Sequence, residues 1–214
     1  MTELAISRLL RVAFTGASGT GKSTLTEWAS QEFALPINPI GSRSVSQTMG
    51  FLSPYDVDAA GKRGEFQRRL LSEKAAWERD MGSFVTDRSV LDNLAYTILH
   101  DVHSIDGKTL DDVRVALRRY THVVFCPIDA VFKPGSDPAR VMSKTYHEVF
   151  EQVLHGMLSS SGIDEELHVL GSPDLEERKA YLRGVFAHGR APSSPPPTSE
   201  PDEKEPTTGV REVP

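Results

Sequence analysis

Residues 11–15 (RVAFT) form a short apolar run that ends in glycine, the pattern of a buried strand, and residues 23–33 read as the helix that follows it. Residues 34–57 are rich in turn formers, with a short strand near 37–40. Over residues 58–81, Phe66, Leu70, Trp77 and Met81 recur on one face, which predicts a helix. A strand at 83–86 (SFVT) precedes a helix at about 89–99, and residues 100–108 make a polar loop. Thr109 reads as the cap of a helix whose apolar face is Leu110, Val113, Leu117 and Tyr120. Residues 121–128 (THVVFCPI) are the most strand-like segment of the chain. After a loop at 129–137, Asp137 and Pro138 open a helix to about 158. A last short strand at 167–170 and a helix opened by Ser172 and Pro173, running to about 188, complete the pattern. Strands alternating with helices predict an α/β fold with a parallel sheet covered on both faces.

The pattern stops at residue 188. Residues 189–214 hold seven of the fourteen prolines and almost nothing that could enter a core. They read as a disordered, proline-rich acidic tail behind a single domain over residues 1–188. The formal charge of −6 disfavours a non-specific nucleic-acid binder. One cysteine, Cys126, allows no disulfide within the chain, and its place in a predicted strand makes it a packed thiol. The first residues make a poor signal peptide, and no apolar run is long enough to span a membrane. These features predict a cytoplasmic protein without a membrane partner. The histidines show no metal-binding spacing. Oligomeric state leaves no mark on the sequence.

Chemistry enters with Gly16, Ala17, Ser18, Gly19, Thr20, Gly21, Lys22 and Ser23, which fit G-x-x-x-x-G-K-[ST] in full between a strand and a helix. Glycines let the backbone wrap so that successive N–H groups face a phosphate, and the helix start adds partial positive charge. Lys22 is placed to reach the β and γ phosphates, Ser23 to ligate Mg2+, and Thr24 to add a further contact to the nucleotide. The expected cofactors are ATP and Mg2+.

A GTPase would carry Asn-Lys-x-Asp after a later strand, and this chain has none. Residues 58–61 fit D-x-x-G but follow no apolar strand. Motor and transporter ATPases end a strand in an acidic pair, whereas the strand at 83–86 leads into Asp87, Arg88 and Ser89. In a parallel sheet the carboxyl ends of the strands face the ligand. Asp87 would therefore hold metal-bound water or accept a proton, and Arg88 would set a fixed cation beside the transferring phosphoryl or an acceptor phosphate.

The segments GASGTGKSTL, FQRRLLSEKAAWER and FVTDRSVLDNLAY together resemble the P-loop nucleoside and nucleotide kinases, nearest to nicotinamide-riboside-kinase-like ATPases and small phage and bacterial nucleotide kinases. The resemblance covers roughly residues 10–186. It implies a three-layer P-loop NTPase fold with a five-stranded parallel sheet, a substrate crevice over the strand ends and a lid. The lid would be residues 129–144, where Arg140 and Lys144, four apart, would clamp the phosphates with Lys133 as a third candidate. Adenine would pack at Gly171, Ser172 and Pro173.

Candidates for the acceptor are Arg43, Arg63, Gln67, Arg68 and Asp92; Asn93 and Tyr96, on the same helix as Asp92 after Asp87, read as groups supporting the site from behind, and Tyr96 as core. No acidic residue lies between Glu32 and Asp56, where many nucleoside kinases keep a base. A hydroxyl acceptor would leave Asp87 as the base with Asp56 second; a phosphate acceptor needs none. Three functions stay open: transfer from ATP to a small-molecule nucleoside or nucleotide, transfer to a polynucleotide or modified DNA base, and regulatory ATP binding.

Overall fold

The computed structural model describes residues 9–128 and 143–187. Strand β1 (Arg11–Thr15) pairs in parallel with β2 (Phe84–Asp87) on one side and β3 (His122–Phe125) on the other. β4 (Leu167–Val169) adds outside β3, so the order among the described residues is β2-β1-β3-β4. The fifth strand expected near 37–40 is reduced to one parallel bridge, Ile37 to Val85. Asn38 N–H donates to the Val85 carbonyl (2.9 Å) and Val85 N–H to that of Pro36 (3.0 Å). Pro36 and Pro39 have no N–H, so the ladder cannot run on. β3 is likewise shorter than the apolar run 121–128, which reaches Pro127.

Side chains alternate across the sheet and build two cores. Val12, Phe14, Val85 and Val124 pack against α1 (Lys22–Phe33) and, at the far end of the chain, Leu182 and Phe186. Ala13, Phe84, Val123 and Phe125 face the other way, toward residues of the helices that cover that side. This gives three layers, helix–sheet–helix.

The helix expected over 58–81 is two. After α2 (Ser42–Thr48), which the turn-rich sequence did not announce, come α3 (Pro54–Ala59) and α4 (Arg63–Asp80). Ser53 Oγ accepts from Asp56 N–H while Asp56 Oδ2 accepts from Ser53 N–H, a reciprocal cap that starts α3. Gly61, at φ 67°, ends it; Lys62 N–H reaches the Val57 carbonyl and Gly61 N–H that of Asp58. Val45, Val57, Phe66 and Leu70 bury against one another and fasten α2 and α3 onto α4.

α5 (Val90–Asp101) follows β2. α6 (Gly107–Leu117) is capped by Asp106, not by Thr109: the Thr109 amide and hydroxyl both donate to Asp106 Oδ1 at 2.7 Å. α7 (Lys144–Ser160) and α8 (Leu175–Ala187) complete the described residues. No helix among them is long and apolar enough to cross a membrane. Lys133, Arg140, most of the expected lid and the tail at 189–214 lie outside the described residues.

Candidate active site

The register puts Phe14 opposite Asp87, so the turn leaving β1 begins beside the end of β2. Gly16 has no room for a side chain there. A Cβ would stand 2.4 Å from the Cys126 carbonyl oxygen, and the residue sits at φ 135°. Gly19 and Gly21 are left-handed as well, and α1 starts at Lys22. Lys22 is buried, its ammonium donating to the Ala17 carbonyl and Thr20 Oγ1. Burial and the nearby Arg88 charge lower its pKa to about 8, with Asp87 and Asp92 opposing. Cys126 packs behind the turn, its thiol pushed up to about 12 by burial.

Asp87 Oδ2 accepts from Ser23 Oγ at 2.5 Å, while Asp87 Oδ1 is buried without a hydrogen-bond partner. Burial would raise this carboxyl, but Lys22 and Arg88 outweigh it and hold the pKa below the ordinary value. A hydroxyl, an ionised carboxylate and an unsatisfied oxygen suit a hard divalent cation that takes its remaining ligands from phosphate and water. Ser23 and Asp87 therefore fit Mg2+. Among the described residues no cluster of three His, Cys, Asp or Glu could hold a metal by itself.

Arg88 occupies a left-handed backbone position at φ 82°, unusual for a residue with a side chain. That turn aims the guanidinium back over the cradle. It donates to Ser18 Oγ (2.9 Å), pairs with Asp92 (3.3 Å) and lies 5.0 Å from the Tyr96 ring centroid. Burial opposes its charge, but Tyr96, Asp92 and Asp87 raise the pKa further, so Arg88 stays cationic.

Asp92, expected at the substrate, is elsewhere. It is fully buried beneath the cradle and does not line the cavity. One oxygen accepts from Thr15 Oγ1, Ser89 N and Ser89 Oγ; the other accepts from Gly16 N and Arg88. It braces β1, the cradle and the start of α5 together.

From the cradle a cavity of about 630 Å³ runs past Asp87 and Arg88 toward α2, α4 and α5. Ser18, Gly19, Gly21, Lys22, Ser23 and Thr24 form its cradle end. Arg43, Arg63 and Gln67 line the same cavity. Arg63 is held by Asp58 at 2.5 Å, and Gln67 accepts from Asn93 Nδ2 at 3.5 Å. Tyr96 also lines it, together with His100 and Tyr146, which share a 2.6 Å hydrogen bond. Burial and Arg63 lower the His100 pKa.

Arg68 does not line this cavity, and neither does Lys144, which is exposed on the first turn of α7 and paired with Glu148 at 3.6 Å. Asp56 is spent on its helix cap and is absent from the lining as well.

Two charged residues were not anticipated. Lys74 lines the cavity floor although 2% exposed. A signal existed: residues 66, 70, 74 and 77 share one helix stripe, and a lysine interrupts it. Arg178 of α8 donates to the Thr20 carbonyl (2.9 Å) and to the Ser172 carbonyl, tying the cradle to the loop after β4. It lies 158 positions from Thr20, so no local pattern could reveal it.

The helix–sheet–helix fold is shared with solved kinase structures. More narrowly, the chain belongs to the AAA_28 family, whose model, described as an AAA domain, matches residues 11–178. No curated protein matches the chain. Among solved structures, it is similar to deoxyadenosine kinase from M. mycoides with bound dATP, at 14% identity and a TM-score of 0.59, over 83% of this chain and 99% of that one. NadR protein in complex with NAD and AMP-PNP matches at 14% identity and 0.57, over 83% of this chain and 50% of NadR. Shikimate kinase from Aquifex aeolicus matches at 15% and 0.55, over 84% and 98%. At these identities the likeness is one of fold.

Proposed function

We propose that the chain is an ATP- and Mg2+-dependent kinase that transfers the γ-phosphoryl group to a nucleoside or nucleotide. The observation that carries this reading is the second compartment. A hydrolase needs space for a water molecule beside the γ-phosphate. Here the cavity that opens at the cradle, about 630 Å³ in all, continues past Asp87 and Arg88 to Arg43, Arg63 and Gln67, further than a lone water molecule requires.

In this reading the triphosphate lies along residues 16–24, and Lys22 neutralises oxygens of the β and γ phosphates. Mg2+, when bound, supplies charge neutralisation across those phosphates, and Ser23 and Asp87 are the residues that would hold it. An acceptor oxygen forms the new bond to the γ-phosphorus as the bond to the β–γ bridging oxygen breaks, releasing ADP. Arg88 stabilises the charge on the phosphoryl oxygens in transit. Arg43, Arg63 and Gln67 orient the acceptor.

Asp87 is the sole acidic residue lining the cavity among the described residues, and its low pKa makes it a weak base. This favours an acceptor that has no proton to lose, such as the phosphate of a nucleoside monophosphate. A loose transition state asks little of a base in any case.

The test is product analysis with γ-labelled ATP and Mg2+ against nucleosides, nucleoside monophosphates and, separately, DNA. Label is expected in a nucleoside diphosphate. Label released only as free phosphate in every mixture would sink the kinase reading, and label in DNA alone would move the acceptor to a polynucleotide.

A further inference from the structure

A buried polar chain runs behind the end of β2 and meets the cavity at Lys74. Glu78 anchors it: Oε1 accepts from Asn38 Nδ2 (3.0 Å) and Oε2 from the Tyr120 hydroxyl (2.9 Å). Burial and the Glu78 charge push the Tyr120 pKa well up, so the phenol keeps its proton and remains a donor. Glu78 pairs with Lys74 at 3.5 Å, with both side chains almost wholly buried. Lys74 donates to Thr86 Oγ1, and Thr86 Oγ1 donates to the Arg88 carbonyl at 3.4 Å.

The direction of these bonds is forced. An ammonium can only donate, so Thr86 Oγ1 must accept from Lys74. Its single hydrogen is then turned away from Lys74 and toward the Arg88 carbonyl. That carbonyl belongs to the residue held at φ 82° directly after Asp87. A left-handed non-glycine residue persists only where its surroundings over-determine it. The peptide between Thr86 and Arg88 carries Asp87, so whatever holds its two ends also sets the carboxylate. A buried ion pair is weak as a source of stability, because the desolvation cost rivals the attraction. Its location behind the strained turn gives it a different use.

We propose that Glu78, Lys74 and Thr86 are positioning residues that hold the Asp87–Arg88 turn in the geometry by which Asp87 and Ser23 take a divalent cation with ATP. The proposal rests on the cradle and metal reading above, not on the identity of an acceptor.

The experiment is calorimetric titration of the full chain with ATP, once with Mg2+ and once with EDTA. The quantity read is the gain in affinity that Mg2+ brings. Thr86→Val, which keeps the shape and removes the hydroxyl, is expected to cut this gain about ten- to hundredfold, as for the loss of a group that orients a metal ligand. Affinity in EDTA should stay within about twofold of wild type on that same account. Thr86→Ser restores the hydroxyl and should restore the gain. Lys74→Met alone strands a buried carboxylate and can fail to fold, so it is paired with Glu78→Gln, which removes both charges and keeps partners for Asn38 and Tyr120. This double variant should lose the gain as Thr86→Val does.

A Thr86→Val protein with lowered thermal stability and an undiminished Mg2+ gain overturns the proposal, and so does a Thr86→Ser protein that behaves like Thr86→Val. The readout needs no acceptor, so a chain that binds MgATP yet phosphorylates nothing would sink the kinase reading alone.

Discussion

Ser23 Oγ donates to Asp87 Oδ2 at 2.5 Å, joining the first turn of α1 to the end of β2 across 64 positions of sequence. The contact places an alcohol and a carboxylate oxygen side by side with a second carboxylate oxygen unsatisfied. Asp87→Asn keeps the shape and removes the charge. It is expected to lower phosphoryl transfer by at least about a hundredfold, in line with the loss of a preorganised electrostatic partner, while ATP binding in EDTA persists. Single-turnover kinetics beside equilibrium binding separates the two effects.

Lys22 has a pKa of about 8 because burial and Arg88 disfavour its charge. Above that pH the free protein holds a neutral amine, whereas bound triphosphate favours the ammonium. ATP binding should therefore take up a proton near pH 8 to 9 and weaken as pH rises through about 8. Calorimetry in buffers of different ionisation enthalpy measures the uptake, and Lys22→Met should abolish it. Equal heats in all buffers would contradict the assignment.

Asp92 receives five hydrogen bonds while wholly buried. Asp92→Ala takes the shared acceptor from these donors and the buried counter-charge from Arg88, and should cost about 3–5 kcal/mol of stability by urea unfolding. Because Asp92 braces the cradle and does not face the cavity, its loss should weaken ATP binding without changing preference among acceptors.

Gly16→Ala drives a methyl group to 2.4 Å from a backbone oxygen. Backbone cannot yield as a flexible side chain would. The cradle should shift, with ATP binding lost and stability down by about 1–3 kcal/mol from strain alone. Nucleotide-dependent thermal stabilisation, present in wild type and missing in the variant, checks this.

Arg178 links Thr20 to Ser172, so Arg178→Met should loosen the cradle against the loop after β4. The KM for ATP is expected to rise about tenfold, the scale of one lost charged hydrogen bond, with little change in the acceptor KM. Equal effects on both substrates would argue for general unfolding instead.

The cradle was legible because its chemistry is local: eight consecutive residues carry the glycines, the lysine and the hydroxyl, and apolar periodicity marks the strand before them and the helix after. Asp87 and Arg88 were legible by the same logic, as polar residues at the end of an apolar run. Boundaries were less so. The break between α3 and α4 depends on the cap at Ser53 and the left-handed Gly61, and the edge segment at 36–38 lost its ladder to two prolines. Helix periodicity registers neither event: the stripe of Phe66, Leu70, Trp77 and Met81 lies wholly past the break, and the lost ladder depends on two missing N–H groups.

What the sequence by itself determined is therefore the alternation of strands and helices, the phosphate cradle and the charged pair that closes the neighbouring strand. Each depends on residues near one another in the chain. Only the tertiary structure decided that Asp92 is a brace instead of a substrate contact, that Lys74 is a buried cation beside the turn, and that Arg178 reaches the cradle from the far end of the domain. Those roles depend on which surfaces meet when the sheet forms. A buried charge takes its function from the partners that burial gives it, and those partners lie up to 158 positions away.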